Sequence, residues 1–241
     1  YVTLGGALAN DVHGKNHDRD GSFADHVRWF DLLTADGQVL RIHPSDELFA
    51  ATAGGIGLTG IVLRLCFALK KTPVPAFVVR EDRMGSLDDF LSAFNGRARE
   101  AGYSVGWVDT LAKGKKLGRG ILETAELAPI GRSFIPDRMK GLAVPVDLPG
   151  FVLNAASVAA FNTLYFHRIP TAEQERIIAF RRFLFPLDAL SGWNRMYGKR
   201  GFRQFQCVLP DAEASADIRK LLDAISAARS SSFLTILKTL G

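Results

Sequence analysis

Apolar and polar residues alternate through VRWFDLLTADGQVLRI, residues 27–42, and the Asp36-Gly37 pair at the centre predicts a hairpin turn between two strands. SDELFAATA reads as a short helix with Ser45 as N-cap, and Asp46 and Glu47 lie in the first turn, where negative charge is favourable. GGIGLTG then leads into an apolar strand, Ile61 to Leu69, and Pro73 and Pro75 break the pattern at the best domain boundary in the chain. Beyond them the rhythm turns helical. SLDDFLSAFNGRAREAG puts Leu87, Phe90, Leu91 and Phe94 on one face, opens with a capping-box pair, Ser86 and Asp89, and has Gly102 as its stop.

Strands follow at Tyr103–Leu111 and Gly120–Leu127, and the Pro- and Gly-rich residues 129–150 predict a long excursion. Residues 151–185 begin like a helix and end like a strand. The last stretch predicts a strand at FRQFQCVLP, a helix from Asp211 with Ile218, Leu221, Leu222 and Ile225 inward, and a strand at SFLTILKTL. Helices alternating irregularly with hairpin-linked strands predict an α+β fold, an antiparallel sheet with helices on one face. No internal repeat is visible.

Composition narrows the class. The 241 residues are 47% hydrophobic and 23% charged, enough for one large domain or two small ones. No apolar run approaches the roughly 18 residues of a membrane span, and YVTLGG carries no signal-peptide pattern, so a cytoplasmic protein is expected. The missing initiator Met predicts a piece of a longer product. Cys66 and Cys207 lie in apolar stretches and read as buried free thiols, with no disulfide framework. The net charge of +5 includes a basic loop, Lys113 to Arg119, that is either simply solvated or attracts anionic substrate or lipid headgroups. No zinc-finger spacing, aromatic-interleaved basic helix or RNA-binding signature is present, which argues against nucleic acid as a partner.

The chemistry concentrates in TLGGALANDVHGKNH, from Thr3 to His17, which reads as a phosphate-cradling loop, a metal site or a tight turn. Gly14 spoils helical presentation of His13 and His17, and no third ligand is obvious, so no metal is expected. A second cluster, Gly54, Gly55, Gly57 and Gly60, precedes a strand, which is neither the P-loop nor the Rossmann arrangement. Two such clusters in one small region suggest a large ligand carrying phosphates, because glycine lets backbone N–H groups approach closely. Further along, strand alternation puts Gln204 and Gln206 opposite Phe205, Cys207 and Leu209; the amides suit sugar hydroxyls or simply water. Trp107 shares a face with Asp109, as a core indole with a capped N–H or as a pocket wall. Lys238 shares a face with Ile236 and Leu240, either snorkelling to solvent or held as a fixed charge.

In this order TLGGALANDVHGKNH, DLLTADGQVL and DELFAATAGGIGLTGIV resemble the second half of the FAD-binding domain of vanillyl-alcohol-oxidase-type flavoproteins. VGWVDTLAKGKKLGRG, PLDALSGWNRMYG, GFRQFQCVLP and SFLTILKTLG resemble the decaprenylphosphoryl-β-D-ribose 2′-oxidase branch of that family. The resemblance implies half of an FAD-binding domain over residues 1–74 and most of a substrate-binding cap over 75–241. It places Thr3, Leu4, Gly5, Gly6, Asn10, Asp11, Val12 and His13 along the flavin and its diphosphate, and Val62 at the adenine side. His13 and Lys15 would face the flavin's reactive edge, and Trp107, Gln204, Gln206 and Lys238 would border the sugar. The catalytic set it implies is His13, Lys15, Gln206 and Lys238. Leu184 and Val105 stand where the mycobacterial enzyme has tyrosine and serine. The implied activity is FAD-dependent oxidation of a sugar's secondary alcohol, the 2′-hydroxyl of a polyprenyl-phosphate-linked ribose, in arabinan synthesis for the cell wall. An NAD-dependent reductase partner and association with a membrane surface come with it. A sugar-1,4-lactone or other alcohol oxidase on the same scaffold, and a flavin-free binding module, are the alternatives.

Overall fold

Residues 2–131, 142–170, 174–229 and 232–241 are described by the computed structural model, in which the chain forms two units. The first comprises Tyr1–Thr72 with Leu240–Gly241, and the second comprises Pro73–Thr239.

In the first unit, α1 (Leu4–Ala9) and α2 (His17–Asp20) precede β1 (Val27–Leu33), β2 (Val39–Ile42), α3 (Glu47–Thr52) and β3 (Ile61–Phe67). The strands lie in the order β2-β1-β3, all antiparallel, and the β1–β2 hairpin turns where Asp36-Gly37 predicts. Gly37 has φ of 84°, a left-handed conformation that suits glycine. Phe30, Leu32 and Ile42 pack with Leu8 of α1 and Phe49 of α3. One cap differs from expectation: Asp46, not Ser45, is the N-cap of α3, and its carboxylate folds back to accept the His43 N–H at 2.7 Å.

On the opposite face of this sheet Asp31 stands in register with Arg41 and Arg64. Arg41 Nε donates to Oδ1 at 2.9 Å and Arg64 Nε to Oδ2 at 2.7 Å, while the Arg41 guanidinium lies 3.9 Å over the Trp29 ring. Asp31 is only 3% exposed. The hydrogen bond from Arg41 leads in holding its carboxyl below the usual 3.8, with the charges of both arginines adding to it. A group with a lowered folded pKa contributes fully above its unfolded value and loses that contribution as pH falls through the folded one. Asp31→Asn is therefore expected to melt lower at neutral pH, and the gap to wild type should close as pH falls below about 4. Melting temperatures of both proteins between pH 7 and pH 2 check this, and a gap that stays constant rules out the ionic origin.

The second unit contains β4 (Ala76–Met84), α4 (Leu87–Asn95), α5 (Arg97–Glu100), β5 (Tyr103–Val108), β6 (Gly120–Leu127), β7 (Leu142–Ala143), α6 (Ala155–His167), β8 (Gln174–Ala179), α7 (Phe180–Leu184), β9 (Leu190–Ser191), α8 (Asp211–Ala227) and β10 (Ile236–Leu237). Five strands form an antiparallel sheet in the order β10-β5-β6-β4-β8, and β7 and β9 pair in parallel. The expected capping box closes α4: Ser86 Oγ accepts the Asp89 N–H and Asp89 Oδ2 accepts the Ser86 N–H. The helix stops at Gly96 and restarts as α5, so Gly102 does not end it.

Strand pleating separates two layers of side chains. Met84, Val108 and Leu122 pack with Leu87, Phe90 and Phe94 of α4 and Leu222 of α8. A Cβ on Gly106 would come within 2.7 Å of the Phe90 ring, so the missing side chain makes room for that aromatic. On the other face Phe77, Val79, Tyr103 and Ala125 pack with Phe183 of α7, and Trp107 and Ile121 pack with Ile169 and with Tyr165 and Phe166 of α6. Helices therefore cover both faces, correcting the expected one-sided layer.

Two expected strands are also corrected. Residues 201–210 form no strand, and Phe205 is 79% exposed rather than buried on an inner face. The reason is edge availability: β8 takes the outer edge of β4, and alternation buries a face only where a neighbouring strand supplies hydrogen bonds. Cys207 is consequently exposed, and Cys66 on β3 is half-buried, so neither is the buried thiol expected. The last strand shrinks to Ile236–Leu237, paired with Trp107 and Gly106. Much of the 129–150 excursion lies outside the described residues.

Candidate flavin and substrate site

The opening glycine pair sits in the first turn of α1 rather than in a loop. Thr3 caps that helix, its Oγ1 accepting the Gly6 N–H at 3.1 Å. A Cβ on Gly5 would lie 3.6 Å from the Val62 Cβ, so α1 rests on β3 and Val62 is brought beside Gly5. Asn10 closes the helix, its side-chain amide donating to the Gly6 carbonyl at 2.9 Å. Asp11 follows with φ of 39°, and its Oδ1 accepts the Ala24 N–H at 2.9 Å. Val12 pairs through its carbonyl with the Phe23 N–H.

The second glycine cluster docks on the far end of α1. The N–H groups of Gly54 and Ile56 donate to the Leu8 and Ala9 carbonyls at 3.0 and 2.8 Å. Those amides complete the helix C-terminus, which leaves carbonyls without intrahelical partners. The Gly54 and Ile56 amides are thus engaged within the protein.

His13 pairs through its backbone with Ser22, closing a loop that holds Lys15, half-buried, and α2. The His13 and His17 rings meet edge to face with centroids 5.3 Å apart. Among the described residues no group of three His, Cys, Asp or Glu side chains is arranged to hold a metal. Asp20, at the end of α2, accepts from Asn16 Nδ2 at 2.9 Å and Lys70 Nζ at 2.6 Å. Burial alone pushes the Asp20 carboxyl up, but the bonds from Lys70 and Asn16 outweigh it and hold it below the usual value.

In the second unit Trp107 is 7% exposed, its Nε1–H donates to the Phe233 carbonyl at 2.9 Å, and its ring meets Tyr165 at 4.7 Å. Of the two readings of this indole, the structure supports the capped core residue. Asp109 is engaged elsewhere, paired to Arg119 at 2.8 Å and accepting from Asn162 Nδ2 at 2.8 Å. Lys238 is half-buried one residue beyond β10, the strand that pairs with Trp107. Gln204 and Gln206 are exposed on the extended 201–210 segment.

Sequence reasoning missed a row of aromatic rings that starts at Trp107. Tyr165 stacks on Phe161 at 5.6 Å, Phe161 meets Phe233 at 5.7 Å, Phe233 stacks on Tyr197 at 5.6 Å, and Tyr197 meets Phe202 at 4.6 Å. At the Trp107 end Arg168 lies 4.3 Å over the Tyr165 ring and donates to its hydroxyl at 3.0 Å. Burial raises the Tyr165 pKa above 10.0 despite the nearby Arg168 charge, so the phenol keeps its proton. The rings come from separate segments, so no local pattern announces them.

The first turn of α1 tests the fit of a flavin dinucleotide. The Gly6 N–H is taken by Thr3 Oγ1, so the Leu4 and Gly5 amides, which have no intrahelical acceptors, are the donors of this turn that fit an anionic diphosphate.

Residues 1–43 match the family described as FAD binding domain. These features and this match support a resemblance to the vanillyl-alcohol-oxidase-type FAD-linked oxidoreductases, with FAD as the cofactor. Within the class it is similar to decaprenylphosphoryl-β-D-ribose oxidase of Mycolicibacterium smegmatis, at 35% identity over 255 aligned positions that cover 100% of this chain and 54% of the relative. An uncharacterised protein of Streptomyces coelicolor is 41% identical over 53% of this chain and 35% of its own length. Alditol oxidase of a Streptomyces species is 33% identical over 33% of this chain and 18% of its own. The chain thus spans about half the length of the relative it matches throughout.

Proposed function

We propose that the protein oxidises a secondary alcohol of a sugar, the 2′-hydroxyl of a polyprenyl-phosphate-linked ribose. The observation that carries this reading is the aromatic row, whose more exposed rings, Phe161 and Phe202, suit the apolar chain of an amphiphile. At the Trp107 end Arg168 is paired with Glu81 and Arg119 with Asp109. The name of the mycobacterial relative supports the same substrate class.

Bound FAD supplies the acceptor for the two electrons lost by the alcohol carbon. In this reading the backbone of Thr3 to Gly6 and of Asn10 to His13 holds the cofactor, with Val62 at its adenine side. His13 and Lys15 lie at the reactive edge, where a base takes the hydroxyl proton as the carbon is oxidised. The Gln204 and Gln206 amides orient the neighbouring hydroxyls, since each both donates and accepts. Lys238 supplies a fixed positive charge against the negative charge that develops during reduction. Trp107, capped and packed in the core, would act on the sugar by supporting the pocket wall from behind. Phosphate-linked lipid as substrate brings the protein to a membrane surface, and an NAD-dependent reductase completes an epimerisation. Among the described residues no helix is long and apolar enough to cross a membrane.

The similarity to alditol oxidase gives a second reading, oxidation of a free polyol. Anaerobic mixing of the full-length protein with each substrate, followed at the flavin band near about 450 nm, decides between them. Bleaching by polyprenylphosphoryl-ribose and not by alditols or sugar lactones is the expected result. Bleaching by an alditol alone selects the second reading, and a colourless protein removes both.

A further inference from the structure

His17 has no place in the flavin set, yet contacts from two directions converge on it. The Gly241 N–H donates to His17 Nδ1 at 3.2 Å, across a separation of 224 positions in the chain. Gly241 reaches there only because it lacks a side chain: a Cβ would lie 2.5 Å from the Asp18 carbonyl oxygen and 3.1 Å from the Asp18 Cα. On its other side His17 meets the His13 ring at an interplanar angle of 87°. Neither histidine backbone is free to follow a displaced ring. His13 is held by its bridge to Ser22, and α2, which His17 begins, is held by Asn16 and Lys70 through Asp20.

An imidazole that accepts at Nδ1 carries its proton on Nε2, so one hydrogen bond fixes both the tautomer and the ring plane. We propose that His17 is a positioning residue: the Gly241 amide locks its tautomer and plane, and the locked ring orients His13 for its work at the cofactor. This rests on the placement of His13 beside FAD. The arrangement follows the general rule that a reacting group is held by outer partners whose own geometry is fixed.

The test uses the full-length protein with FAD bound, labelled with ¹⁵N in histidine and observed by NMR at about pH 8, where unperturbed imidazoles are neutral. The expected wild-type spectrum shows His17 as the single Nε2–H tautomer. Gly241→Ala should convert it to a tautomer mixture and shift the His13 ring signals, with flavin content unchanged. Flavin reduction by substrate should slow roughly tenfold, the lower end of the range for outer partners. If Gly241→Ala does not fold, His17→Ala is the second variant, and its His13 signals should shift in the same way at unchanged melting temperature. A wild-type His17 carrying its proton on Nδ1 overturns the proposal, as does a variant whose His13 signals and reduction rate match wild type. Absence of FAD from the wild-type protein overturns instead the placement of His13 at the cofactor, and the tautomer spectra still report on His17.

Discussion

Gly6→Val is expected to yield a full-length protein that is folded and colourless. The reason lies in the first turn of α1, where an added Cβ would sit 2.9 Å from the Thr3 Oγ1 that caps the helix. Valine displaces the cap and covers the backbone face assigned to the diphosphate, and its branched side chain is stiff at χ1 in a helix. Losing a cap costs about 1 kcal/mol, which the buried Leu8 on the same helix is expected to withstand. The ratio of flavin to protein absorbance, read with the melting temperature, checks both halves of the expectation. Normal flavin content would make the glycine pair a packing device alone, needed only for the approach of α1 to Val62.

Lys238→Ala and Gln206→Ala are expected to keep FAD and stability and to reduce the flavin roughly a hundredfold more slowly, the scale for one positioned electrostatic group. Gln206 is exposed and Lys238 only half-buried, and neither lies within a strand, so truncation removes little packing. Stopped-flow bleaching of the flavin band measures the effect. Wild-type rates in both variants would move the sugar site elsewhere and leave Lys238 a lysine whose stem covers apolar surface.

Local features of the fold are legible in the sequence because their partners are contiguous. The β1–β2 hairpin needs only Asp36-Gly37 between two alternating runs, and the start of α4 needs only Ser86 and Asp89. What the sequence hides depends on distant partners. Residues 151–185 hold α6, whose apolar residues surround the helix, with Leu164 75% exposed and Val158 buried, so no stripe says which sheet face it covers. The alternation in FRQFQCVLP is genuine, but a strand needs an edge, and the edge of β4 belongs to β8. Nothing local to the glycines at 54–60 reveals that the Gly54 and Ile56 amides complete α1. At the candidate site the backbone cradle and His13 are visible as motif. The aromatic row is not, since Phe161, Phe233 and Tyr197 meet only after three segments have folded together.

The return of the chain to the first unit at Leu240–Gly241 imposes an order on biosynthesis. The first unit is interrupted by Pro73–Thr239, so its contact with Leu240–Gly241 cannot form until the ribosome has made the whole insertion. Closing so long a loop from a disordered chain carries an entropy penalty that rises by about 0.6 kcal/mol for each doubling of length. Prior folding of the insertion replaces most of that disordered loop with a fixed span between its two ends. The segment up to Thr72 would then wait with the His17 loop unsupported, exposed to chaperones and proteases, until Leu240 and Gly241 have been made. Destabilising substitutions in the second unit, far in sequence from any cofactor contact, would lower the yield of flavin-loaded protein by prolonging that wait.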